Sequence, residues 1–371
     1  MLSFIKKNLI NIPGVRSAKK IVVFESDDWG SIRMPSKKVF NSLHVQNLSP
    51  ENDPYLKYDS LASRYDMEAL FEVLQSVKDK HNNPAILTAN AVMGNPNFEK
   101  IKKDNYQSYH WEPFTKTWEH YPHCHGVEEI WNSGQQENLI HFQCHGREHL
   151  NVDQWMKSLR NNDKMLKKAF DLEMISISSQ PTGLRYDYME GLDYFSYEEQ
   201  QNKKNILDEA LTEFYIYFGF KSKSFIANCY IWDDFVEKVI AENDVQFIQG
   251  ISNQIKPVLN NNHHGHEYRR HFMGEKNKFG QKYLIRNAFF EPSLEPNIDW
   301  VDDCLSRIKI AFRWGKPAII GVHRLNFIGA IYEENRTKNL ASFKRLLKEI
   351  TKRWPEVEFC TSDELFKRIE L

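Results

Sequence analysis

Apolar positions along the chain fall into two alternating patterns. Ile21-Val22-Val23-Phe24 is an unbroken run rich in β-branched residues, the pattern of a strand buried on both faces. It leads into Glu25-Ser26-Asp27-Asp28-Trp29-Gly30. Similar runs predict strands at 85–91, 139–144, 224–228, 245–249, 317–322 and 357–360. Between them, 66–80 carries Met67, Leu70, Phe71, Leu74 and Val77 at helical spacing, with Asp66 as its cap. Segments 203–218, 233–243, 299–314 and 337–354 read as helices in the same way, the last stopped by Trp354-Pro355. Residues 1–12 hold Lys6 and Lys7 but no long apolar stretch, and read as a lead-in helix or strap rather than a secretion signal.

Strands alternating with helices predict an α/β fold with a mainly parallel sheet or barrel. No linker, repeat or low-complexity tract divides the chain, so one domain over 1–371 is expected. Three stretches near 105–136, 176–197 and 251–282 are rich in aromatics, Asn, Gly and His and read as long loop insertions of functional type.

Charge narrows the partners. Lys plus Arg is 49 and Asp plus Glu 50, for a net charge of -1, which argues against a strong global pull toward nucleic acid or anionic membrane. A mean hydropathy of -0.61 and the lack of a long apolar run predict no membrane span. The five cysteines are scattered, odd in number and form no CxxC, so a reducing compartment, the cytoplasm, is expected.

Three constellations can carry chemistry. Asp27-Asp28 closes the first strand, where one carboxylate can bind a metal while the other stays free as a base; alone, the pair reads equally as a cap and a solvated acid. His145-Gly146-Arg147-Glu148-His149 follows another strand, and histidines at i and i+4 can face one metal from a helical turn. His323 ends the strand at 317–322; singly it reads as a structural histidine, but three polar groups at three strand ends carry more weight together. Two further clusters, His120 to His125 and His263 to His266, read as solvated loop histidines or walls of a cleft. Trp29, Trp111, Trp131 and Trp232 read as sugar-stacking platforms or, equally, core tryptophans.

The order of these motifs resembles the polysaccharide deacetylase superfamily, carbohydrate esterase family four and its relatives. Asp27 and Asp28 match its first motif, His145, His149 and Leu150 its second, and Ile319, Ile320 and His323 its last; Asp299-Trp300 is similar to an Asp-Trp pair the family carries before the last strand. The matches span 21–323. The resemblance implies an irregular (β/α) barrel of about seven parallel strands. It implies a divalent metal on Asp28, His145 and His149, zinc first, with cobalt, nickel or iron as alternatives. It makes Asp27 the base, His323 the acid and the Tyr230 backbone N–H an oxyanion donor, in hydrolysis of an acyl group, most simply N-acetyl, on a carbohydrate. Trp29, Tyr230, Arg286 and Asn326 are expected on the substrate side, with Asn326 or a carboxylate fixing the His323 tautomer. Departures mark a divergent branch. Ala227-Asn228-Cys229-Tyr230 lacks the usual arginine and proline, and Pro296 stands where an aspartate would pair with that arginine; Arg286 is the candidate replacement cation. Two competing readings are a glycoside hydrolase using carboxylates such as Glu25 and Asp27, and a catalytically silent carbohydrate-binding relative.

Overall fold

The computed structural model describes residues 2–177, 187–260 and 263–370. Within them one 9-stranded sheet forms, and its pairings are all parallel. The strand Ile21–Trp29 lies between Leu87–Ala91 and Ala318–His323. Beyond Leu87–Ala91 come Ile140–Cys144, Ser224–Ile226, Phe247–Gly250 and Lys282–Ile285; beyond Ala318–His323 comes Ala288–Phe289. The two outermost strands belong to one stretch of chain. The Arg286 N–H donates to the Gly250 carbonyl at 2.8 Å, and the Asn287 N–H to the Ile319 carbonyl at 3.1 Å. The stretch from Lys282 to Phe289 therefore bonds to both edges and closes the sheet into a barrel, leaving no open edge among the described residues of that sheet. Taken as one, and with the short Glu358–Phe359 pairing set aside, it completes the expected seven staves.

Burial explains why these runs are strands. Ile21, Val22, Val23, Phe24, Ala318, Ile319, Ile320 and Val322 are all fully buried. Each buried Val, Ile or Phe side chain contributes roughly 1.5–3 kcal/mol. All the expected strands form: the first runs on from Phe24 to Trp29, that at 317–322 is shifted to Ala318–His323, and the other five are shortened. The expected helices form as Arg64–Gln75, Tyr197–Phe218, Asp234–Glu242, Trp300–Arg313 and Glu333–Arg353. Asp233 and Asp299 cap theirs. Asp66 does not: Ser63 is the cap, and Asp66 sits at the third helical position, where its carboxylate accepts from the Ser63 N–H at 2.9 Å and completes a capping box. The lead-in helix is Leu2–Leu9, tied down by a Lys7–Asp303 ion pair.

The insertions are more ordered than loops. The first contains the helices Phe114–His120 and Val127–Gln136. The third is largely an antiparallel hairpin, Asn253–Asn260 with His263–Arg270. Much of the second, 178–186, lies outside the described residues. Trp29, Trp131 and Trp232 are no more than 1% exposed, so they are core residues and not sugar platforms. Trp29 packs edge-on against Trp131 and donates its indole N–H to the Ser26 hydroxyl at 2.9 Å. Trp111 is half-buried, with the Arg147 guanidinium 5.4 Å from its ring centroid. Among the described residues no helix is long and apolar enough to cross a membrane.

Candidate active site

The C-terminal ends of the barrel strands surround a cavity of about 570 Å³ whose walls include Asp27, Asp28, His145, His149, Tyr230 and His323. Successive strand residues normally point to opposite faces, so adjacent aspartates should not both reach it. The register shifts between Ser26 and Trp29, and Asp28 takes φ 74°, a left-handed conformation that aspartate tolerates better than most residues. This bulge turns both carboxylates to the rim.

Asp28, His145 and His149 bring one ligand atom each within 4.8 Å of one another. The His145 and His149 Nε2 atoms lie 3.5 and 3.6 Å from Asp28 Oδ1. His145 Nδ1 lies 2.8 Å from the Ile226 carbonyl, which can only accept, so Nδ1 carries a proton and Nε2 is the ring atom that faces Asp28. Burial pushes His149 down to about 3 despite the nearby Asp28 carboxylate, so its imidazole is neutral at working pH. Burial alone would raise Asp28, but His149, a hydrogen bond with His145, and Arg33 together hold it well below the usual carboxylate range. One ionised carboxylate and two imidazoles are a donor set that fits a divalent ion. The histidines do not share a helical turn, as their spacing suggested. Residues 145–149 are irregular, and Gly146 at φ 99° makes the sharp turn that returns His149 to the rim.

Asp27 is held differently. Arg286 grips it with two bonds, Nη1 to Oδ2 at 2.5 Å and Nη2 to Oδ1 at 2.7 Å, while its Nε donates to Glu25 at 2.7 Å. Asn90 adds a donor to Asp27 Oδ1 at 2.8 Å. Burial would raise the Asp27 carboxyl, yet the Arg286 charge and hydrogen bonds outweigh it and keep the group ionised. Glu25, two strand residues earlier, is fully buried and does not line the cavity, so it cannot serve as a glycosidase carboxylate.

His323 Nε2 lies 4.0 Å from Asp27 Oδ2, and Nδ1 lies 2.7 Å from Glu291. Burial would lower this imidazole. The Glu291 carboxylate more than offsets that, helped by Asp28 and Asp27, and holds it up to about 9. Asn326 acts one step back: it donates to Glu291 at 2.7 Å and does not line the cavity. Glu291, not Asn326, therefore fixes the His323 tautomer.

Four expectations need correction. Trp29 and Asn326 are not on the substrate side, being core and supporting residues. Arg286 is also absent from the cavity wall; it is the cation beneath Asp27. The Tyr230 N–H donates to the Ala227 carbonyl at 3.1 Å within a tight turn, so it is not free as an oxyanion donor. Its hydroxyl instead lies 3.3 Å from Arg286 Nη1, on the cavity wall. Asp299 caps its helix and pairs with Arg345, away from the cavity wall.

Several residues were missed. Arg33 lies 3.5 Å from Asp28 Oδ2 and 3.6 Å from Asp59, which in turn is gripped by Arg324. Tyr55 packs edge-on against His323 at 5.7 Å. For Glu291 a signal existed: it directly follows Phe289-Phe290, a strand-end position like those of Asp27 and His323.

No family model matches the chain, and no curated protein matches it significantly. Among solved structures, it is similar to PuuE allantoinase, at 10% identity and a TM-score of 0.47 over 94% of this chain and 89% of that one. It is similar to the "probable polysaccharide deacetylase" of Pseudomonas aeruginosa PAO1, at 8% identity and a TM-score of 0.45 over 94% and 89%. It is also similar to a 4-alpha-glucanotransferase from Thermococcus litoralis, at 10% identity and a TM-score of 0.44 over 94% of this chain but only 40% of the longer enzyme.

Proposed function

We propose that the chain is a divergent member of the polysaccharide deacetylase superfamily, a metal-dependent hydrolase that removes an acyl group, N-acetyl in the simplest case, from a carbohydrate. The observation that carries this reading is the meeting of Asp27, Asp28, His145, His149 and His323 on one cavity wall. Asp28, His145 and His149 would hold a divalent ion, zinc by preference. Such an ion lowers the pKa of water toward ~7 and polarises an acyl carbonyl.

The protein's own groups start in complementary states. Asp27 is ionised and can take a proton; His323, held up to about 9, carries one at neutral pH and can give it to the leaving amine or alcohol. Arg286 fixes the orientation of Asp27, and Glu291 that of His323. Ile32, Leu56, Ile175, Met189 and Ile226 make an apolar wall on which a sugar and its acyl group can pack. The five cysteines are all free thiols, in keeping with a reducing compartment. A silent binder is the weaker reading, because binding alone needs neither an ionised Asp27 nor a protonated His323.

Acetate release from N-acetylated and O-acetylated oligosaccharides, with metal content measured on the same sample, tests the proposal. Metal-dependent release supports it; bound metal without release from any acylated sugar sinks the deacylation assignment. The acid predicts a pH profile. Activity should fall as pH rises through about 9, where His323 loses its proton. Glu291→Gln removes the interaction that raises His323, so that limb should move to lower pH. His323→Ala should slow turnover ~100-fold or more with metal content unchanged.

A further inference from the structure

A second set of one carboxylate and two imidazoles lies outside the cavity. His264 and His266 alternate along the strand His263–Arg270 and so project from the same face of the hairpin. Both Nε2 atoms converge on Asp193. His264 lies 3.0 and 3.2 Å from its two oxygens, and His266 lies 3.0 Å from Oδ2. Expected from the sequence as solvated loop histidines or walls of a cleft, they sit on regular structure around a buried acid. We propose that Asp193, His264 and His266 form a second divalent-cation site, for zinc or a similar borderline ion, that clips the hairpin to the chain segment carrying one wall of the cavity.

The distances suit an ion. Zinc bonds of roughly 2.0–2.2 Å in a tetrahedral site place neighbouring ligand atoms about 3.3–3.6 Å apart, so these atoms need to open by only a few tenths of an ångström to admit one. The Asp193 side chain is 1% exposed, while the His264 and His266 side chains are 17% and 19% exposed. An ion can therefore enter from solvent and keep water on its open side. The rings are already held: His264 stacks on Phe195 at 4.0 Å and meets His266 edge-on at 4.6 Å.

The clip would act on the cavity. Met189, in its wall, lies four residues before Asp193, and Asn151 holds that segment by donating to the Glu190 and Asp193 carbonyls at 3.2 and 3.1 Å. The hairpin reaches the same region independently, through the Pro257 carbonyl, which accepts from the Tyr194 hydroxyl at 3.2 Å. An ion on Asp193, His264 and His266 would join the two elements more firmly than the hydrogen bonds the imidazoles make to the acid.

The full chain, stripped with a chelator and titrated with Co²⁺ or Zn²⁺, decides the matter by stoichiometry. The wild type is expected to bind two equivalents, and His264→Ala/His266→Ala one. Asp193→Asn guards against misfolding of the double variant, since the amide keeps an acceptor and nearly the same shape; it too should bind one. His149→Ala separates this site from the cavity: if only the Asp193 site binds, His149→Ala keeps the wild-type count of one and His264→Ala/His266→Ala drops to none. Equal stoichiometry in the wild type and in folded Asp193→Asn and His264→Ala/His266→Ala overturns the inference, leaving the cluster as a hydrogen-bonded brace.

Discussion

Asp27→Asn is expected to lower kcat/KM on an acylated sugar by about 100- to 10,000-fold, the range for loss of a positioned base, with metal content unchanged. Asn keeps the shape of the side chain and an oxygen that can accept from Arg286, so the rim should stay in place. What it loses is the negative charge and the capacity to take a proton. Asp28→Asn should behave in the opposite order, losing metal first and activity with it, because its Oδ1 is the oxygen that faces both imidazoles. Asparagine tolerates the left-handed backbone at this position about as well as aspartate, so backbone strain does not confound the comparison. Equal metal loss in the two variants would contradict the division of labour between adjacent carboxylates.

Arg286→Ala is expected to destabilise the folded chain by ~3–5 kcal/mol, the usual effect of leaving a buried charge without its partner. The arginine side chain is 1% exposed, and it serves Glu25 and Asp27, whose side chains are 0% and 6% exposed. Burial already raises the Glu25 carboxyl against the pull of Arg286, so without the guanidinium Glu25 should be protonated over a wider pH range. Asp27 gives the pH signature. Its carboxyl is lowered in the folded chain, so it contributes stability above its unfolded value near 3.8 that is lost as pH falls through the lower folded value. Arg286→Ala should remove that acid-side contribution as well as lowering stability at neutral pH. Arg286→Lys should recover only part of either effect, because one ammonium cannot bond both oxygens of Asp27 and reach Glu25. Urea unfolding of the three proteins reads this directly, and a loss below about 1 kcal/mol in Arg286→Ala would mean that the ion-pair network is not holding the rim.

The strand runs were legible because a barrel strand covered on both faces must be apolar throughout, as Ile21 to Phe24 and Ala318 to Val322 are. The closing stretch from Lys282 to Phe289 was not. It is interrupted by Arg286 and Asn287, and those polar residues are where its pairing passes from one edge of the sheet to the other. The five residues of the metal and acid–base reading were legible because each follows an apolar run that polar side chains break: Asp27 and Asp28 among the last residues of their strand, His323 at the end of its own, and His145 and His149 after Cys144. Their supports were harder to see. Glu291, Asn90 and Glu25 act through partners more than thirty residues away, and no local spacing records such a contact. The hairpin histidines were misjudged for a related reason: alternation over His264-Gly265-His266 looks like loop composition until pairing with Asn253–Asn260 fixes which face the imidazoles share.

Anomalous diffraction from crystals of the full chain grown with Zn²⁺ or Co²⁺ locates any bound ion against Asp28, His145 and His149. The expected result is a peak within about 2.0–2.2 Å of Asp28, His145 and His149 together, with Asp27 and His323 beside it but unbonded to the ion. A saturated crystal in which those three side chains bind no ion would contradict it.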